Sequence, residues 1–461
     1  MSLIEHLDRV YADRRDRYGY TVLSRSRAIR AIKRPCDEAM RRLINTELLD
    51  ILVSEKCLLP SRVVRGAQDK YIFLVQKRIR PAVVPSEWSP TMFADAAILL
   101  LHAEYLVYQH GMTVDDPHPW NILFDEGKPY VIDIGSFNVV GTGLHWSAKM
   151  DADIWPAGNA FYAFFLNVVA LVAAGRGHYV RRALTDWNPI SGTDTALLLL
   201  KKPATLLWFL AIRLYLVVFQ WAWRLLIPAA SVSLKNTLKS LHWNVLSRYV
   251  NQMRSVIVRM RACVDTGANI SAGVADAIRT FIGQHSSQRC LVYGPNLRII
   301  NYITALGVTK LFVVSPDEAL IDSLYDAAPG CVAGAVMDLR SPTSGAGPSN
   351  RWILPAVERF KSEVGVFFFD LEELVIDKCL TVFDLIQAAR NMSEVGALIV
   401  FGKLPSENGV LGRNYGQTED HVLMSCLEQN LKSFVVIQND SREMVVSFGH
   451  NDLSQAKSPF A

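Results

Sequence analysis

The residues best suited to chemistry fall in one short stretch, residues 115–137, which reads DDPHPWNILFDEGKPYVIDIGSF. Asp116 is followed five residues later by Asn121. Asp133 comes twelve residues after that, closing the strand-like run YVID and preceding Ile134 and Gly135. Phosphoryl transfer uses these residue types in this order. A carboxylate orients a hydroxyl nucleophile and takes its proton, while an amide oxygen and a second carboxylate hold magnesium against the phosphates. Asp and Asn are also common turn and cap residues, so none of the three is informative alone. The ordered set within 18 residues carries the reading.

With those residues in view, DDPHPWNILF followed by VIDIG resembles the catalytic and metal-binding loops of the aminoglycoside and choline kinase branch of the kinase fold. Asp116, His118, Pro119, Asn121 and Asp133 match that pattern. Val114 stands where the family has a leading histidine, and Trp120 replaces a usual small residue. The resemblance implies ATP with magnesium as cofactor, Asp116 and His118 at the reacting hydroxyl, and Asn121 and Asp133 as metal ligands. It extends upstream. Lys33 in AIRAIK is similar to the strand lysine that pairs the phosphates, Glu47 to its helix partner, and KYIFLVQKRIRP to the strand leading into the hinge. Only Gly19 represents the glycine-rich loop before that lysine.

A second set of candidates lies beyond residue 289, where short apolar runs alternate with helix-length spacers. The runs are 290–293, 310–314, 332–337, 364–369, 397–401, 434–437 and 444–448. Alternating β and α predicts a parallel sheet wound with helices, and the last two runs, only QNDSRE apart, predict a closing hairpin. This order resembles a class I S-adenosylmethionine methyltransferase, a Rossmann-like fold with a seven-stranded sheet. The resemblance implies that Gly294 and Asn296, in CLVYGPNLRIINYI, form the cofactor loop, although Val292 replaces its acid and Arg298 a later glycine. It places Ser315 where an acid holds the ribose, with Asp317 two residues on, and gives Asp338 in AVMDL the adenine side. A broader similarity, strongest from about residue 75 to 140, is to the nodulation-type methyltransferases, which implies a saccharide or other small-molecule substrate.

The elements that must position these groups divide the chain in three. Residues 1–235 form a kinase-like α+β domain with a helical lobe, 236–285 a helical connector, and 286–461 the methyltransferase-like domain. Within the first, strand character is expected in 20–33 and 70–79, and helix in 35–55 and 91–109. From about 145 to 285 the pattern is helical throughout, and 341–350 reads as a flexible insertion. With 461 residues, half of them hydrophobic, the chain has ample material for two or three cores.

Forty-eight Lys and Arg against 44 Asp and Glu leave a net charge of +4, too balanced for a nucleic-acid binder. Seven scattered cysteines without a zinc-ligand pattern, and a charged N-terminus without an apolar core, predict a cytoplasmic protein with reduced thiols. The apolar runs 155–175 and 206–228 raise the question of membrane. In the second, Arg213 and Arg224 disfavour a span and leave a buried helix or a peripheral contact at the inner membrane face. Three functions stay open: an ATP-dependent phosphotransferase with a helper domain, a methyltransferase with a recognition module, and a scaffold in which neither site turns over.

Overall fold

The computed structural model describes residues 7–11, 19–24, 26–33, 38–65, 71–140, 154–226, 231–260, 270–285, 289–308, 310–327, 332–345, 353–371, 374, 380–403, 419–439 and 442–449. The chain divides into two units, Met1–Ala262 and Cys263–Ala461.

The first unit begins with a five-stranded antiparallel sheet. Its strands are β1 (Leu7–Tyr11), β2 (Gly19–Ser24), β3 (Arg27–Lys33), β4 (Ser61–Arg65) and β5 (Tyr71–Lys77), in the order β1-β2-β3-β5-β4. The expected strand 20–33 is thus a hairpin. Ser24 Oγ accepts the Arg27 N–H at 3.0 Å and closes a turn that the alternation pattern did not mark. Gly19 has φ +145°, and a Cβ there would sit 1.8 Å from the Ala31 carbonyl oxygen, so only glycine allows β2 this close to β3. The expected helix 35–55 is two helices, α1 (Glu38–Asn45) and α2 (Leu48–Ser54).

Helix α3 (Pro90–Gln109) follows, with proline in its first turn and Gly111 at φ +69° just past its end. The short strands β6 (Met112–Val114), β7 (Ile122–Asp125), β8 (Lys128–Val131) and β9 (Phe137–Val139) pair antiparallel, β6 with β9 and β7 with β8. The rest of the unit is helical: α4 (Gly158–Ala173), α5 (Gly177–Thr185), α6 (Gly192–Leu199), α7 (Pro203–Leu226) and α8 (Val232–Met260). Helices α3 and α7 are long and apolar enough to cross a membrane by length and composition, but 67% of the tested α3 window is buried against 22% of α7. The run at 155–175 lies in α4, whose residues from Asn167 to Ala173 are all buried.

The second unit contains helix α9 (Ala272–Gln284) and a doubly wound sheet. Its elements are β10 (Cys290–Tyr293), α10 (Leu297–Ala305), β11 (Leu311–Ser315), α11 (Glu318–Ala327), β12 (Val332–Val336), β13 (Ser362–Asp370), α12 (Val382–Met392), β14 (Ser393–Gly402), α13 (Glu419–Asn430), β15 (Val435–Asn439) and β16 (Glu443–Gly449). The strand order is β12-β11-β10-β13-β14-β16-β15. Counted from β10 this is 3-2-1-4-5-7-6, with β16 antiparallel to both neighbours and the other described pairings parallel. It is a Rossmann-like mixed sheet with the hairpin expected of the methyltransferase class. The runs CLVY and LFVVS are buried at every residue, as strands covered on both faces must be.

The helical segment 236–285 does not stand apart as a connector. Helix α8 packs on α3 in the first unit, where Arg254 Nε donates to Asp95 Oδ1 at 2.6 Å. Helix α9 packs on α10 and β14 in the second, capped by Ser271 Oγ, which accepts the Val274 N–H. The boundary falls between the two because each helix has one apolar face, and each buries it in a different core. Of the cysteines, Cys57, Cys290 and Cys426 are free thiols, while Cys36, Cys263, Cys331 and Cys379 lie outside the described residues. So does half of the expected insertion 341–350.

Leu398, fully buried in β14, belongs to the core cluster that joins α9 and α10 to the sheet. Leu398→Ala is expected to lower the stability of the second unit by about 2–5 kcal/mol, read as a shift of one urea-unfolding transition of the full chain.

Candidate functional site

In the first unit, the turn between β6 and β7 and the turn between β8 and β9 carry the sequence-selected groups and are bonded to each other. Asn121 Nδ2 donates to the Asp116 carbonyl oxygen at 3.0 Å, to Ser136 Oγ at 2.9 Å and, more weakly, to Asp116 Oδ2 at 3.4 Å. His118 Nε2 lies 3.0 Å from the same Asp116 oxygen. Asp133 caps the turn 134–136, its Oδ1 accepting the Gly135 N–H at 2.9 Å, and Ser136 N–H returns to the Asp133 carbonyl at 3.1 Å. Ser136 therefore links Asn121 to the Asp133 turn, and Asp116, His118, Asn121 and Asp133 converge. With the Asn121 amide nitrogen committed, its oxygen is the atom left to act as a ligand. Among the described residues no group of three His, Cys, Asp or Glu side chains is placed to hold a metal unaided. Magnesium commonly takes only one or two protein ligands and completes its shell with phosphate and water.

The loop is held from beneath by a residue that sequence reasoning missed. Glu104, 1% exposed in α3, accepts the Val114 N–H at 2.6 Å and the Thr113 hydroxyl at 3.0 Å. These are the last residues of β6 before Asp115 and Asp116. Burial pushes the Glu104 carboxyl up to about 8, against the opposing pull of the Val114 N–H, the Lys239 ammonium and the Thr113 hydroxyl. Burial likewise lowers Lys239 to about 8, opposed by Glu104. The signal in the sequence was a lone acid in the apolar run AAILLLHAEYLVY. Trp155 Nε1 adds a bond to the Val114 carbonyl at 2.9 Å.

Lys33 and Glu47 are not brought into this arrangement as a pair. Both are exposed, Lys33 at the end of β3 and Glu47 at the N-terminal cap of α2. No ion pair joins these two described residues. The break between α1 and α2 falls at residues 46 and 47, so Glu47 sits on a turn rather than on the face of one continuous helix. The chain between β1 and β2, where a glycine-rich loop would lie, is outside the described residues. Trp120, the departure from the small residue of the kinase pattern, stacks on Trp187 at 4.2 Å and 6° and meets the His118 ring edge-on at 5.7 Å.

In the second unit the selected residues cluster at the carboxyl ends of β10, β11 and β12, and most close local turns. Asn296 Oδ1 caps α10 by accepting the Ile299 N–H at 3.0 Å. Ser315 is buried and its hydroxyl accepts the Asp317 N–H, while Asp317 Oδ1 accepts from Ala319 and Leu320 at the start of α11. Asp338 pairs with Arg340 at 2.7 Å. Gly294 has φ +67°, and a Cβ there would fall 2.6 Å from the Phe368 carbonyl oxygen. A cavity of about 200 Å³ opens beside it, walled by Tyr293, Gly294, Pro316, Phe368, Asp370 and Glu443. Pro316, Asp370 and Glu443 carried no sequence signal of their own, since strand ends meet only in the folded sheet.

No family model matches the chain, and no curated protein matches it. Solved structures do. The N-methyltransferase NodS from Bradyrhizobium japonicum WM9 is 13% identical over 38% of this chain and 93% of its own, with a TM-score of 0.27. An S-adenosylmethionine-dependent methyltransferase from Mesorhizobium loti is 10% identical over 39% of this chain and 99% of its own, with a TM-score of 0.28. EvdMO1 is 14% identical over 42% of this chain, with a TM-score of 0.28, and the chain spans 47% of its length.

The raised Glu104 carboxyl sets a pH dependence. A folded value above the unfolded one contributes stability that is fully present below about 4.5 and is lost as pH rises through about 8. The stability difference between the native chain and Glu104→Gln, measured by urea unfolding at a series of pH values, is expected to shift against the native chain across that window. It should level off above it.

Proposed function

We propose that the chain is a transferase whose second unit takes S-adenosylmethionine at the carboxyl ends of β10, β11 and β13 and methylates a small or saccharide acceptor. The observation that carries this reading is the strand reversal. Strand β10 has β11 on one side and β13 on the other, both parallel, and the cavity lies at that switch point, where doubly wound sheets bind nucleotides. Two features of the chain fit the cofactor. Gly294 turns without a side chain, which leaves main chain accessible to a ligand. Asp317 uses Oδ1 for its cap and so has Oδ2 to accept ribose hydroxyls, in place of the acid that Ser315 lacks. When bound, S-adenosylmethionine supplies an electrophilic methyl group. The chain's own part is to orient the acceptor and receive its proton, a role we assign to Asp370 in the cavity wall. The saccharide class of acceptor comes from the resemblance to nodulation-type methyltransferases.

A second reading belongs to the first unit, and the bond from Asn121 Nδ2 to the Asp116 carbonyl favours it. That bond fixes the loop so that Asp116 can accept a hydroxyl proton while Asn121 and Asp133 offer oxygens to magnesium. In this reading the unit is a kinase-like ATP-dependent phosphotransferase: the acceptor oxygen bonds to the terminal phosphorus, ADP leaves, and the proton passes to Asp116.

Calorimetric titration of the full chain separates the readings. S-adenosylmethionine is expected to bind, about tenfold more weakly in Asp317→Ala, for the loss of one charge-assisted hydrogen bond, and not at all in Gly294→Arg. Absence of binding to the native chain sinks the methyl-transfer reading. Magnesium-ATP is expected to bind the native chain and to lose its magnesium dependence in Asp133→Ala, and an unchanged titration in that variant sinks the second.

A further inference from the structure

Helix α7 is apolar on both of its faces, and among the described residues only one is covered. Phe209, Ile212, Leu216 and Trp223 are buried against the unit. Tyr215 and Phe219 stack on the His242 ring at 5.9 and 5.1 Å, and the Tyr215 hydroxyl lies 3.3 Å from His242 Nδ1. The other face carries Leu207, Leu210, Leu214, Val218, Trp221 and Leu225, each about half to two-thirds exposed. They recur every three or four residues, so they form one stripe along a 24-residue helix. The neighbouring helices α6 and α8 pack on α7 and add exposed Leu200 and Leu241.

The segment that carries this stripe is rich in cations. Between Asp194 and Asp265 the sequence contains ten Lys and Arg and no Asp or Glu. Arg213 and Arg224 are spaced by eleven residues, close to three helical turns, so they share one flank of the helix instead of interrupting the stripe, and Lys202 immediately precedes its first residue. Arg213 in particular lies over Gly192 at the start of α6.

We propose that this face docks on the surface of an anionic lipid bilayer, with α7 lying in the interfacial plane. Leu207, Leu214, Val218 and Trp221 enter the acyl boundary while the flanking cations meet lipid phosphates. Helix α7 does not span, because its other face is held along its length by the buried side chains and the His242 stack. Pairing with a second copy is disfavoured by charge, since a two-fold contact would bring together two copies of a face rich in cations.

Flotation of the full chain with lipid vesicles tests the assignment. The protein is expected to float with vesicles of equimolar phosphatidylcholine and phosphatidylglycerol, to stay behind with pure phosphatidylcholine, and to be released by high salt. Leu214→Glu with Val218→Glu should abolish flotation without moving the thermal unfolding midpoint, because both side chains are exposed. Lys201→Glu with Lys202→Glu should weaken binding to the anionic vesicles by at least about tenfold. Failure to float with either vesicle overturns the proposal, as does flotation of the Leu214→Glu, Val218→Glu variant. Equal binding to both vesicle types overturns the anionic-lipid assignment. A concentration-dependent dimer in light scattering that the same double variant dissolves assigns the face to a second copy instead.

Discussion

The carboxylate of Glu104, dry inside an apolar helix, holds the last peptide of β6 through the Val114 N–H and the Thr113 hydroxyl. Everything the first unit can do with Asp116 depends on that anchor. Asp116 lies two residues beyond the anchored peptide, Asn121 is bonded back to it, and Ser136 carries the same network to the turn that Asp133 caps. A buried acid without partners would be strongly unfavourable. Here the main chain of β6, the Thr113 hydroxyl and the Lys239 ammonium share the charge or its proton. The stability of the helix pair α3–α8 and the placement of the loop are therefore one problem.

The same helix α8 links that anchor to the exposed apolar stripe of α7. Lys239, its ammonium 3.5 Å from the centre of the Tyr108 ring, is three residues from His242, which receives the packed face of α7. Burial, followed by the nearby Lys239 charge, lowers His242 to about 3, so the ring between Tyr215 and Phe219 is a neutral stacking surface rather than a charge. One layer of half-polar aromatic packing thus separates the loop network from the exposed stripe.

In the second unit, the polar groups at the strand ends serve as caps and turn closers. Asn296 and Asp317 begin helices, and Ser315 closes the turn between strand and helix. These bonds let the sheet ends remain ordered with a reduced set of acids, because each helix start satisfies its N–H groups within the chain. The cavity is left to the strand ends themselves, with Asp370 and Glu443 in its wall.

Periodicity and residue type determined much of this protein in advance. The seven strands of the second unit fall where the short apolar runs lie: central strands such as β10 and β11, covered on both faces, need such runs, while the edge strand β15 alternates exposed and half-buried residues. The loop residues Asp116, Asn121 and Asp133 stand out in the sequence by their order and spacing, and the fold bonds Asn121 to Asp116 and, through Ser136, to the turn that Asp133 caps. Folding decided what spacing cannot express. Glu47 fell on the break between α1 and α2, and Lys33 on an exposed strand end. Glu104 became an anchor only when α3 was laid beneath β6, and the segment 236–285 was divided between two cores by the direction of each helix's apolar face. The run beginning at residue 206 read first as a buried helix and second as an interfacial one in the sequence, where the two faces of α7 are alike in hydropathy. Only packing selects which face is covered, and it left the other, flanked by cations, open.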